Sequence, residues 1–448
     1  MTATFSHKRT DFPDGFLFGA ATSATQIEGT AFGGAGASHW DTFALTPGNV
    51  VRAETAARAC DHYHRWAEDL DLVAAAGFDA YRFSINWARL LPEGMGAPNP
   101  AAISFYDRLI DGMLERGMQP FITLYHWDLP STLAHRGGWA NRDITGWFTD
   151  YALTVQRRFG DRLASTATLN EPWCVAWLSH FLGLHAPGLR DISAAARAMH
   201  FTLTAHAEAL AALRAEGAKS LGIVLNFEHI EPASPGDEGA AATEEALFNR
   251  WFAEALALGR YPAEALEGLE RWLPARWQAD LDTIRAPLDW LGVNYYRRAL
   301  KATAPGSPWP ASREVEGPLP KTTMGWEILP DGLADRLTKL AQLFPGLPLY
   351  VTENGMSAND HIHDGAVADP ERIAYVDAHL AACRAAIAAG VPLKGYFYWS
   401  LMDNYEWALG YDKRFGLIHV DSESLKRTPK WSYQAFQHML LPRTLPSR

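Results

Sequence analysis

Short runs rich in β-branched and aromatic residues alternate along the chain with longer stretches in which apolar residues recur three or four positions apart. Eight runs have the length and composition of buried strands: FLFGAATSATQ (16–26), AYRFSINW (80–87), PFITLYHW (120–127), LASTATLN (163–170), LGIVLNFE (221–228), WLGVNYY (290–296), LYVTEN (349–354) and YFYWSLMD (396–403). Between them the helical period predicts amphipathic helices over 65–78, 103–117, 144–160 and 372–390. Gly77, Gly117, Gly160 and Gly390 sit at the ends of these stretches, where glycine commonly follows a helix C-terminus.

Strand followed by helix, repeated, predicts parallel pairing. Eight such units predict the α/β class and a closed (β/α)₈ barrel, because an open doubly wound sheet would more often have five or six strands and a glycine-rich first turn. The expected organisation is one barrel domain over 1–448 with long βα-loops. GGAGAS (33–38) has neither the lysine of a P-loop nor dinucleotide-fingerprint spacing, so it reads as a loop. The Pro-rich 301–322 stretch reads as a loop over the barrel mouth, since a linker there would part the sixth strand from the seventh and leave the sheet unclosed.

The chain has 448 residues, 48% of them hydrophobic and 20% charged, enough apolar material for a sizeable core. The formal net charge of −11 argues against a nucleic-acid partner, which would need a positive footprint. Three cysteines, Cys60, Cys174 and Cys383, make a disulfide framework unexpected. No run of about 20 apolar residues and no signal-peptide core at the N-terminus predict a cytoplasmic protein with no membrane partner. His62-Tyr63-His64 and His361-Ile362-His363-Asp364 lack a third ligand at recognisable spacing and read as solvated histidines, so neither a metal nor another cofactor is expected. No G-x-S-x-G elbow is present, and Cys174 has no evident histidine partner.

In such a barrel the chemistry sits at the carboxyl ends of the strands. The fourth predicted strand ends in Asn170-Glu171 and the seventh in Glu353-Asn354. Each glutamate alone could cap the helix that follows it. Two, each beside an asparagine and each next to an apolar barrel where an unpartnered carboxylate is costly to desolvate, point to catalysis. Paired carboxyls on one rim fit glycosidic-bond cleavage, one protonating the leaving oxygen while the other attacks the anomeric carbon or activates water. Arg82, in the second strand, could keep one of them ionised or could form a surface ion pair.

A sugar presents apolar C–H faces and a rim of hydroxyls, so its pocket should join aromatic plates to fixed polar groups. Gln26 closes the first predicted strand, His126-Trp127-Asp128 the third and Asn294-Tyr295-Tyr296 the sixth; Trp399, Glu406 and Trp407 lie at or after the eighth.

At these residues the sequence resembles glycoside hydrolase family 1, the retaining β-glucosidases and β-galactosidases. The likeness runs from FLFGAATSATQIEG (16–29) through HWDLP, TLNEP, GVNYY and VTENG to NYEWALGYDKRFGL (404–417) and RTPKWSY (427–433). It implies that Glu171 is the general acid/base and Glu353 the nucleophile of a covalent glycosyl-enzyme. It implies that Gln26, His126, Asn170 and Glu406 bind hydroxyls of the non-reducing sugar, with Trp399 beneath its ring and Trp407 near O3, while Tyr296 and Arg82 contact the nucleophile and Asn294 supports that corner. Plant thioglucosidases replace the acid by Gln, and phospho-glycosidases place a small residue where Glu406 stands; neither applies here. The expected substrate is a small-molecule or oligosaccharide β-glycoside with an unphosphorylated terminal sugar. Segments 179–188 and 301–322 are expected at the aglycone side. A non-catalytic sugar-binding barrel would be expected to lack one of the two glutamates, and a transglycosidase would keep both.

Overall fold

The computed structural model of the protein describes residues 4–441. All eight predicted strands form: β1 (Leu17–Ala21), β2 (Ala80–Ser84), β3 (Gln119–Tyr125), β4 (Ser165–Asn170), β5 (Leu221–Pro232), β6 (Trp290–Thr303), β7 (Leu349–Asn354) and β8 (Leu393–Trp399). Each pairs in parallel with its sequence neighbours, and β8 pairs in parallel with β1 (Leu17 with Gly395, Ala21 with Trp399), so the sheet closes on itself. Closure leaves the eight strands without a free edge.

Side chains alternate along the strands between two cores. Phe18, Ala20, Tyr81, Phe83, Ile122, Leu124, Tyr396 and Tyr398 belong to the large core shared with the helices. Ala21, Ala80, Phe121, Phe397 and Trp399 form a separate cluster in the space the strands enclose. Gly19 makes room for it: a Cβ there would lie 2.3 Å from the Phe397 ring.

The four predicted helices are His62–Ala75, Pro100–Glu115, Ile144–Phe159 and Pro370–Ala388, all within a few residues of expectation. Gly77, Gly117 and Gly390 take the left-handed backbone that only glycine adopts cheaply. Gly160 does not; it continues the right-handed turn at φ −59°. None of the helices among the described residues is long and apolar enough to cross a membrane.

Two expectations need correction. The 301–322 stretch is not wholly loop: β5 and β6 stay paired beyond the barrel rim to Pro232 and Lys301, and Ser312–Val315 folds back antiparallel on Leu300–Thr303. The resulting ribbon carries the Pro308–Ala311 turn over the mouth. His62 is not solvated but fully buried, its Nδ1 2.8 Å from Asp69, which also takes a bidentate bond from Arg427. The 361–364 histidines are exposed, as expected.

Candidate active site

The strand ends are irregular where the polar residues sit. Pairing shifts register between Ala167 and Asn170 on β4 and between Val293 and Asn294 on β6, and such bulges re-aim side chains at barrel rims. Other residues of the rim are strained as well. Trp127, Glu171 and Trp407 have φ values of 75°, 50° and 52°, a left-handed conformation that costs a residue with a Cβ roughly 1–2 kcal/mol. Three such positions on one rim show that local backbone preference yields there to the placement of side chains.

A chain of hydrogen bonds joins the two glutamates. Arg82 Nη1 donates to Glu353 Oε1 at 2.5 Å, and Arg82 Nη2 donates to Asn170 Oδ1 at 2.7 Å. Asn294 Nδ2 donates to that same Asn170 oxygen at 3.1 Å and to Glu171 Oε1 at 2.7 Å. The Tyr296 hydroxyl donates to Glu353 Oε2 at 2.6 Å, and Thr352 Oγ1 fixes Asn294 through its Oδ1 at 2.7 Å. Arg82 is therefore buried and paired with a carboxylate, which rules out the surface ion pair. Burial, and then the Glu353 charge, push the Tyr296 phenol well above its usual range, so it stays a donor.

Unequal environments divide the carboxyls. Both oxygens of Glu353 accept bonds from a guanidinium and a phenol. Glu171 is pushed up to about 8, first by burial and second by the neighbouring Glu353 charge, so at neutral pH it holds a proton. Glu406 is pushed to about 8 by the same two causes in the same order. Burial and the nearby Arg82 charge hold His126 well below its usual range, leaving a neutral imidazole.

These groups face a cavity of about 730 Å³ lined by His126, Trp127, Asn170, Glu171, Tyr296, Glu353, Trp399, Glu406 and Trp407. The rings of His126 and Trp399 stack with centroids 5.7 Å apart, and Trp127 lies 4.8 Å from Trp407. Trp127 Nε1 donates to the Asn170 carbonyl at 3.0 Å, and Asn170 Nδ2 meets His126 Nε2 at 3.3 Å. Arg82 and Asn294 stand behind this wall. Gln26 departs from expectation: it lies not at a strand end but on the one-turn helix Ala24–Ile27, fully buried, donating to Asn404 Oδ1 and the Tyr405 carbonyl at 2.9 Å each. It reaches Glu406 only at 3.5 Å. Asn294 and Tyr296 likewise lie within a long strand that runs on past the rim rather than at its end. Tyr405 packs, its hydroxyl on the Glu54 carbonyl.

Leu182, Leu184 and His185 from the 179–188 segment and the Pro308–Ala311 turn, the two segments expected at the aglycone side, also line the cavity. Trp173, Trp177, Phe248, Trp326 and Phe415 join them and were not foreseen; the aromatics that closely follow a strand end, as Trp173 follows Asn170, were the available signal. Cys174, set aside as a nucleophile for want of a histidine partner, lies on the cavity wall three residues after Glu171.

A parallel eight-stranded barrel whose rim carries two bonded carboxyls in an aromatic-lined cavity defines a glycoside hydrolase. Comparison with known proteins agrees: the Glycosyl hydrolase family 1 description matches residues 8–442, and the chain belongs to that family. It is 47% identical to Beta-glucosidase A of Thermotoga maritima over 94% of this chain and 95% of that one. It is 46% identical to a 1,4-beta-D-glucan glucohydrolase of Thermotoga neapolitana over 93% of this chain and 99% of the relative. The solved Thermotoga maritima β-glucosidase in complex with deoxynojirimycin superposes with a TM-score of 0.93 at 45% identity, covering 96% of this chain and 98% of that chain.

Proposed function

We propose that the protein is a retaining β-glucosidase that removes terminal, non-reducing, unphosphorylated β-D-glucosyl residues from small glycosides. The observation that carries this reading is the Glu353–Arg82–Asn170–Asn294–Glu171 chain of bonds, which fixes two carboxyls with different partners on one cavity. Glu353 attacks the anomeric carbon while Glu171 gives its proton to the departing oxygen, leaving a glycosyl-enzyme ester and the free aglycone. Glu171, now a carboxylate, takes a proton from water as that water attacks the same carbon, which releases glucose with its β configuration and restores both groups. When a sugar takes the place of water the product is a transglycosylation product.

In this reading His126, Asn170 and Glu406 bind sugar hydroxyls, with Gln26 setting the position of Glu406. Trp399 lies beneath the ring, and Trp127 and Trp407 close the O3 side. Arg82 and Tyr296 orient the nucleophile, and Asn294 holds the acid/base in register with it. The protein acts as a single barrel domain, and we place it in the cytoplasm, a reading supported by its three free, buried cysteines.

A panel of aryl β-glycosides compared by kcat/KM tests the substrate assignment. The glucoside is expected to be preferred over the galactoside, its 4-epimer, and over the fucoside, which is the 6-deoxygalactoside. The 6-phosphoglucoside is expected to be slower by about 10³-fold, because its phosphate dianion would have to give up water against the buried Glu406 carboxyl, a loss worth several kcal/mol when no cation compensates it. A galactoside preference, or efficient turnover of the phosphorylated sugar, would overturn the assignment. Tight sugar binding with no turnover of any member would favour a sugar-binding barrel.

A further inference from the structure

We infer that Cys174 is a positioning residue for acid/base catalysis: its thiol holds Glu171 Oε2, and the Asn226 amide orients that thiol. The inference rests on Glu171 being the acid/base.

Cys174 opens a five-residue π-helical turn, Cys174–Leu178, immediately after the strained exit from β4. Wide turns of this kind recur at functional sites, where they set a side chain that an α-turn would place elsewhere. Here the turn brings Sγ to 3.2 Å from Glu171 Oε2, on the wall of the cavity. Asn226, on β5, points Nδ2 at the sulfur from 3.6 Å. An amide N–H on the sulfur occupies its acceptor side and leaves the S–H free to face the carboxyl.

The two oxygens of Glu171 are thereby made unequal. Oε1 accepts the amide of Asn294 at 2.7 Å, so it is the poorer seat for a proton. Oε2 is the seat that remains, and the thiol touches it. A thiol donates weakly. It can steady Oε2 once the proton has left without favouring the ionised form as strongly as a hydroxyl would. The charged and titratable groups around the pair come from several strands. Glu353 and Arg82 act on Glu171, while Glu228, Glu353 and Glu171 act on the thiol. Glu406 and Tyr296 also face the two carboxyls. Burial and then the neighbouring carboxylates push the thiol well above its usual range, so Cys174 works as S–H and not as a thiolate.

The test is the pH dependence of kcat/KM for Cys174→Val and Cys174→Ser on phenyl β-D-glucoside, whose poor leaving group needs the acid. Loss of the donor in Cys174→Val is expected to move the alkaline midpoint upward by about half a unit, and the stronger donor in Cys174→Ser to move it downward by about as much. With 2,4-dinitrophenyl β-D-glucoside, which leaves without a proton, both shifts should disappear. A packing role would change turnover and leave the midpoint where it was. Unmoved midpoints overturn the inference, and Cys174→Ser, close to cysteine in size, decides it alone if the valine variant does not fold. Full activity of Glu171→Ala on the phenyl glucoside would instead bring down the acid/base assignment. An inactive Glu171→Ala alongside unmoved cysteine midpoints removes only the role of Cys174.

Discussion

Glu353→Ala is expected to lower turnover of an aryl β-glucoside by on the order of 10⁵-fold, because the carboxylate that forms the glycosyl ester is removed. Added azide should restore part of the rate by entering the space the carboxyl vacates and attacking the anomeric carbon from the nucleophile's face, so the product is the α-glucosyl azide. Removing the side chain also leaves the buried Arg82 guanidinium without its carboxylate, which is destabilising in itself. Glu353→Gln keeps the shape and an acceptor for Arg82. Measuring the thermal unfolding of both variants therefore separates lost chemistry from lost fold. Substantial activity in a folded Glu353→Ala protein without azide would contradict the assignment.

Glu171→Ala should behave differently, because its effect depends on the leaving group. For phenyl β-D-glucoside kcat/KM should fall by about 10²- to 10⁴-fold, the usual worth of a positioned acid. For the 2,4-dinitrophenyl glucoside it should fall far less, since that phenolate departs unprotonated. Azide should accelerate the second step and give the β-glucosyl azide, the opposite anomer from the Glu353 variant. The pH profile carries a sign. The working form of Glu171 in the first step is the acid, raised to about 8 chiefly by burial, so wild-type kcat/KM should fall as pH rises through about 8. Glu406 is raised to the same range. Loss of the alkaline fall in Glu171→Ala, on the phenyl substrate, assigns it to the acid/base; a fall that persists there would assign it to Glu406.

The barrel was legible because hydrophobic periodicity reports burial, and all eight strands are buried on both faces near their centres. It was less informative where elements are held by hydrogen bonds rather than by apolar packing. The β5–β6 ribbon beyond the rim lacks a buried stripe, so its Pro-rich return read as loop. Gly160 resembles a left-handed cap in sequence, yet whether the chain takes that turn is decided by the packing around it.

Within the site, the glutamates stood out because carboxylates are rarely tolerated beside an apolar barrel. Arg82 could not be assigned from position alone, since a strand arginine may point to solvent or inward; its partner lies 271 positions away. Gln26 was read as a strand-end residue because an apolar run leads into it, whereas Ser23 ends the extended segment and a one-turn helix follows. His62 looked solvated beside the exposed His64 because its partners Asp69 and, through it, Arg427 are brought together only by the fold.

The central claim is that Glu353 becomes covalently bound to the sugar. Incubation with 2,4-dinitrophenyl 2-deoxy-2-fluoro-β-D-glucoside tests it, since fluorine at C2 slows both steps while the good leaving group preserves the first, and the intermediate accumulates. Mass spectrometry of the digested protein should find one fluoroglucosyl group, carried by the peptide that contains Glu353. An unlabelled protein that still turns over β-glucosides, or a label on Glu171 or any other residue, would contradict the account.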